Sequence, residues 1–122
     1  MKTLIANGTV ITHAGRMDAD VLIDGETVVG VAASGSHGWN ADRVIDAAGR
    51  YVLPGGVDVH THMELPFGGT FASDDFESGT RAAARGGTTT IVDFAVPTIG
   101  EPMLDGYETW REKSDGNCAI DY

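Results

Sequence analysis

Cysteine is almost absent from this 122-residue chain: Cys118 stands alone, so no internal disulfide can form. A single thiol fits a reducing compartment, and the cytoplasm is the expected location. Long apolar runs are also missing. None approaches the roughly 20 residues of a membrane-spanning helix, and the start Met1-Lys2-Thr3-Leu4-Ile5 is broken at once by Asn7-Gly8, which leaves no secretory apolar region. Cationic residues are scarce, eight Lys and Arg against eighteen Asp and Glu, for a formal net charge of −10. That balance excludes nucleic acid and anionic membrane as partners, since both require a basic surface. It identifies no substrate, because solubility explains it equally well. No low-complexity segment or fixed-period repeat is present.

What is present is concentrated in the run Tyr51-Val-Leu-Pro-Gly-Gly-Val-Asp-Val-His-Thr-His62. On a strand, residues two apart share a face. Asp58, His60 and His62 therefore fall on one side, with the two imidazoles close enough for their nitrogens to meet on one metal ion at about 2.1 Å each. Two neighbouring histidines are by themselves a weak signal. Here they close a strand whose intervening Val57 and Val59 are β-branched and apolar, which predicts a buried strand whose polar face needs a purpose. Pro54-Gly55-Gly56 opens the unit, and a second strand-like run, Thr88–Val96, follows after a helix. This is the βαβ spacing of a parallel sheet.

The remaining segments read in order. Residues 1–52 predict a small antiparallel unit, with tight hairpins at Asn7-Gly8 and Asp24-Gly25, and with His13 and His37 as solvated loop residues. After a Gly-rich loop over residues 63–70, a helix begins near Ser73 or Asp74. Asp74 and Glu77 have capping-box spacing, Glu77 and Arg81 form an i, i+4 pair, and Gly86-Gly87 is the stop. A second helix carries Met103, Tyr107 and Trp110 on one core-facing side and ends at Asp115-Gly116-Asn117. Cys118–Tyr122 starts a third strand, with Cys118 as a small buried hydrophobe. Three parallel strands and two helices leave an uncovered sheet, so the chain is expected to be the N-terminal piece of a longer protein.

With His60-Thr-His-Met-Glu-Leu-Pro-Phe67 the chain resembles the amidohydrolase superfamily, and within it the dihydropyrimidinase and D-hydantoinase group. The stretches Leu4–Val10, Ala19–Gly25, Val44–Gly49, Leu53–His62, Ser73–Phe76, Gly86–Thr89 and Tyr107–Lys113 carry the likeness through essentially the whole chain. Dihydroorotases and allantoinases differ just after the histidine pair, and the non-catalytic collapsin-response-mediator proteins lack the intact pair, which this chain keeps.

The resemblance implies an α/β fold: the start of a metal-dependent-hydrolase (β/α)8 TIM barrel over residues 53–122, preceded by the N-terminal part of a small β-sandwich domain over residues 1–52. It implies His60 and His62 as ligands of a centre of two divalent metal ions, zinc foremost, with manganese or iron as alternatives. A carboxylated lysine, two further histidines and an aspartate are expected beyond Tyr122. Asp58 either orients a ligand histidine or holds a buried salt bridge. Met63 and Leu65 are expected to contact the substrate ring's substituent, Phe67 to pack its own loop, and Asp93 to make a structural hydrogen bond. The implied reaction is hydrolysis of the cyclic amide C–N bond of a dihydropyrimidine or hydantoin to an N-carbamoyl amino acid. The full-length protein is expected to be a homotetramer acting on a small-molecule substrate, and the 122 residues alone to be inactive. The alternatives are a non-catalytic assembly protein on the same scaffold, or another cyclic amidohydrolase such as an allantoinase or dihydroorotase.

Overall fold

The computed structural model describes all 122 residues, which divide into two compact units, Met1–Pro54 and Gly55–Tyr122. The first is a five-stranded sheet of β1 (Lys2–Thr12), β2 (Gly15–Asp24), β3 (Thr27–Ala33), β4 (Arg43–Asp46) and β5 (Tyr51–Val52), ordered β3-β2-β1-β4, with β5 also pairing with β1. β1 alternates, burying Ala6, Gly8 and Val10, while β2 is buried continuously from Ala19 to Leu22; Ile5, Ile23 and Val52 pack against Val10, Ala19 and Val21. The sheet is mixed, not antiparallel as expected: β4 and β5 run parallel to β1, in register Thr3↔Arg43 and Thr9↔Tyr51. After β3, residues 34–42 carry the chain back across to the other side of β1, and a strand that re-enters from β1's own starting end must run parallel to it. Asp42 fixes that entry, its carboxylate accepting the Lys2 N–H at 2.7 Å.

The Asp24-Gly25 hairpin forms, with Asp24 paired to Thr27 and Gly25 at φ 60°. Asn7-Gly8 instead lies inside β1. The register slips between Ile5↔Val21 and Gly8↔Ala19, so Ala6 and Asn7 together face Asp20, a bulge in which Asn7 takes φ 64°. The buried Asp20 carboxylate explains this choice, because its Oδ1 accepts the Asn7 N–H at 2.7 Å. Gly8 has no room for a side chain: a Cβ would stand 2.5 Å from Val52 Cγ2. The chain actually reverses at His13-Ala14, between Thr12 and Gly15.

His37 is not a solvated loop residue. Its Nε2 lies 2.7 Å from Asp20 Oδ2, its side chain is nearly buried, and its ring stacks on Trp39 at 4.2 Å between centroids. Asp20 also accepts the Ser34 hydroxyl and the Gly35 N–H, so one carboxylate ties the bulge to the crossover. His13 is exposed, as expected.

The second unit contains β6 (Gly56–Thr61), β7 (Pro66–Phe67), β8 (Thr70–Phe71), α1 (Phe76–Gly86), β9 (Thr88–Asp93) and α2 (Met103–Ser114). β6 and β9 are parallel with α1 between them, which is the expected βαβ unit. Helix α1 starts at Phe76, later than the expected Ser73 or Asp74. Asp75 is the N-cap and forms the capping box with Ser78. Asp74 is engaged elsewhere, its carbonyl accepting the Glu64 N–H at 2.9 Å, and Glu77 turns outward to pair with Arg81 at 3.0 Å. Gly87, at φ 89°, caps the C-terminus.

β9 stops at Asp93, short of Val96, because its partner ends at Thr61; the last cross-strand bond runs from the Phe94 N–H to the Thr61 carbonyl. Asp121 forms a parallel bridge to Thr90, the beginning of the expected third strand. On α2 the buried positions are Gly106, Trp110 and Ser114. Met103 is 83% exposed and Tyr107 half-exposed, so of the expected stripe only Trp110 packs inward. Gly106 decides this by approaching Pro97 too closely for a side chain, which centres the contact on its own i, i+4, i+8 row. The apolar residues of β6 were expected to be buried but are open: Val57 is 60% and Val59 66% exposed, since β6 pairs only with β9 and no element lies over them. Cys118 is half-buried, and burial is the main influence raising its thiol pKa. No helix is long and apolar enough to cross a membrane.

Candidate metal centre

β6 delivers His60 as its penultimate residue, and His62 follows directly after the strand. Their Nε2 atoms stand 3.1 Å apart, with ring centroids 5.0 Å apart and the planes at 76°. Two imidazole nitrogens sharing a tetrahedral zinc ion at about 2.1 Å each would be roughly 3.4 Å apart. The pair is close to that spacing, and both rings are exposed. Neutral imidazole nitrogens are the commonest metal donors in proteins, so the chemistry of the donors fits a divalent ion such as zinc. No third His, Cys, Asp or Glu of these 122 residues joins them in a metal-holding cluster.

Asp58 is exposed and does not hold a buried salt bridge. Its Oδ1 accepts the His60 backbone N–H at 3.1 Å, so it acts on that residue through the main chain. Phe94, one residue beyond β9, contributes a contact that the sequence did not reveal: its ring packs against His60 at 4.6 Å and His62 at 5.4 Å between centroids. In a parallel pair the ends of the two strands lie side by side, so the Phe following β9 was the available clue. Asp93 makes the expected structural hydrogen bonds, accepting from the Thr61 hydroxyl at 2.8 Å and from Trp110 Nε1 at 3.0 Å.

The loop after the histidines is held at successive residues. The Met63 N–H donates to Asp93, the Glu64 N–H to the Asp74 carbonyl, and the Leu65 carbonyl accepts from the Ala72 N–H at 2.8 Å. Glu64 sits at φ 51°, a conformation L-residues rarely take, and its carboxylate is 3.6 Å from Lys113 Nζ. Met63 rests its thioether over Gly79 of α1, where a Cβ would come within 2.4 Å of the sulfur. Leu65 is half-exposed. Phe67 does not pack the loop; it is 79% exposed on the β7–β8 hairpin. A cavity of about 660 Å³ in this unit is lined by Phe76, Ile91, Trp110 and Ile120 among others and contains neither histidine.

Residues 51–112 match the model of the amidohydrolase family. The chain is 56% identical over 124 residues to a D-hydantoinase of Streptomyces coelicolor, an alignment covering 99% of this chain and 27% of that protein. It is 51% identical over 127 residues to a D-hydantoinase of Geobacillus stearothermophilus, covering 100% of this chain and 26% of the relative. The crystal structure of a dihydropyrimidinase from Brevibacillus agri superposes with a TM-score of 0.92 at 52% identity, covering all of this chain and 26% of that one. The chain thus spans about a quarter of the length of the relatives it matches.

Proposed function

This chain belongs to the amidohydrolase family, and from that premise we propose that it forms part of a hydrolase that opens the C–N bond of a cyclic amide, a hydantoin or a dihydropyrimidine, to give an N-carbamoyl amino acid. The observation that carries this reading is the convergence of His60 and His62 Nε2 at 3.1 Å, at the C-terminal end of a parallel strand in a βαβ unit. Barrel enzymes place their sites at that end. Residues 53–122 would then supply the first strands and helices of a (β/α)8 barrel, and residues 1–52 the N-terminal part of a β-sandwich.

His60 and His62 would hold one ion of a two-metal centre, with zinc the first candidate. Such an ion supplies Lewis acidity that brings the pKa of water from 15.7 to about 7. The chain's own contribution is to hold two imidazole Nε2 atoms 3.1 Å apart at the end of β6. Asp58 restrains His60 through its backbone, and Phe94 shields one side of both rings. Leu65 and Met63 would border the ring substituent; Met63 is seated on α1, which leaves Leu65 the more available of the two. The remaining ligands, including a carboxylated lysine, and the proton-shuttling aspartate would come from outside these residues. The complete protein would act in the cytoplasm as a homotetramer on a small molecule.

In the full-length protein, replacing both His60 and His62 by Ala should remove bound metal, measured by elemental analysis, together with ring opening of hydantoin and dihydrouracil. Undiminished turnover in the double variant would refute the proposal. A wild-type protein free of metal and of activity would favour the assembly-protein reading.

A further inference from the structure

β6 is irregular where it matters most. Asp58 pairs with Ile91 and Thr61 with Asp93, so three steps on β6 match two on β9, and the register slips across Val59-His60. A slip of this kind re-aims side chains and leaves the strand end without a regular ladder to hold it. The direction of His60 and His62 therefore depends on whatever pins the backbone beyond the slip.

Asp93 does this. Its Oδ1 accepts the Thr61 hydroxyl at 2.8 Å and the Met63 N–H at 3.1 Å, and its Oδ2 lies 3.3 Å from the same Met63 nitrogen and 3.0 Å from Trp110 Nε1. Thr61 and Met63 flank His62 on either side in the chain. One carboxylate thus grips both neighbours of His62 and ties them to α2. Phe94, the next residue, packs its ring on the two imidazoles.

We propose that Asp93 is a positioning residue for the histidine pair: through Thr61 and Met63 it closes the segment 60–63 so that the two Nε2 atoms converge. This inference rests on the metal reading above. It goes beyond a structural hydrogen bond because it assigns the carboxylate an effect on metal affinity separable from fold stability.

The test uses the full-length protein, Zn2+ alone as the probe, and two readouts: the zinc dissociation constant by chelator competition and the unfolding midpoint of the metal-free protein. Asp93→Ala and Thr61→Val should weaken zinc binding about 10- to 100-fold, the range seen for groups that orient metal ligands. Thr61→Ser keeps the hydroxyl and should bind as wild type does. Thr80→Val is the control: Thr80 is buried in α1, its hydroxyl accepts the Ala119 N–H at 3.0 Å, and it shares no hydrogen bond with the Asp93 network. It should lower the midpoint and leave zinc affinity unchanged. If Asp93→Ala and Thr61→Val lower the midpoint but bind zinc within twofold of wild type, Asp93 is merely structural and the proposal is overturned. If His60→Ala with His62→Ala leaves zinc binding unchanged, the metal reading itself fails and the positioning role falls with it.

Discussion

Asp20 ties several segments of the first unit together. It is buried, and it accepts the Asn7 and Gly35 N–H groups, the Ser34 hydroxyl and the His37 ring. Burial alone would raise its pKa. The hydrogen bonds from Asn7, His37, Gly35 and Ser34 outweigh it and hold the carboxyl far below its ordinary range. Asp20→Ala strands several donors and should cost about 3 kcal/mol of stability, read by denaturant unfolding with the fluorescence of Trp39 as a reporter. The pH dependence has a definite sign. A depressed folded-state pKa means that, as pH falls through about 4, the unfolded chain takes up its proton first, so stability is complete above that range and declines on further acidification. Asp46, Asp75 and Asp115 are lowered too and act in the same direction. Asp20→Asn should therefore reduce the acid slope of stability between about pH 5 and 2 without abolishing it, which unfolding curves across that range would show.

Two helical glycines separate propensity from packing. Gly86, the last residue of α1, has a negative φ and open space, with nothing within 4 Å of where a Cβ would stand, so Gly86→Ala should stabilise by about 0.5–1 kcal/mol. Gly106 lies mid-helix in α2, where Ala would ordinarily help by about 1 kcal/mol. A Cβ there would meet Pro97 Cβ at 2.8 Å and its backbone at 3.0 and 3.1 Å. Gly106→Ala should instead destabilise by about 1–2 kcal/mol, moving α2 and stretching the Trp110–Asp93 bond. Thermal unfolding midpoints of the two variants should shift in opposite directions.

The second unit exposes Val57, Val59, Val92, Phe94, Val96 and Phe71, an apolar surface with no cover from these residues. The 122-residue chain expressed by itself is therefore expected to self-associate, to bind hydrophobic dyes and to show no ring-opening activity. Light scattering that found a monodisperse monomer would contradict this.

The glycine stop of α1, the Glu77–Arg81 pair, the βαβ spacing and the shared side of His60 and His62 were all legible in the residues, because each follows from local geometry along one segment. The bulge at Asn7, the mixed sheet, the true N-cap at Asp75, the buried role of His37 and the Phe94 contact were not. Each is decided by a partner distant in the chain: Asp20 for Asn7 and His37, the Glu64 N–H for Asp74, the end of a neighbouring strand for Phe94. Sequence alone determined that two imidazoles would leave one strand on the same side. Only the tertiary structure decided how closely their nitrogens meet, because a register slip frees the strand end and the carboxylate of another strand closes it.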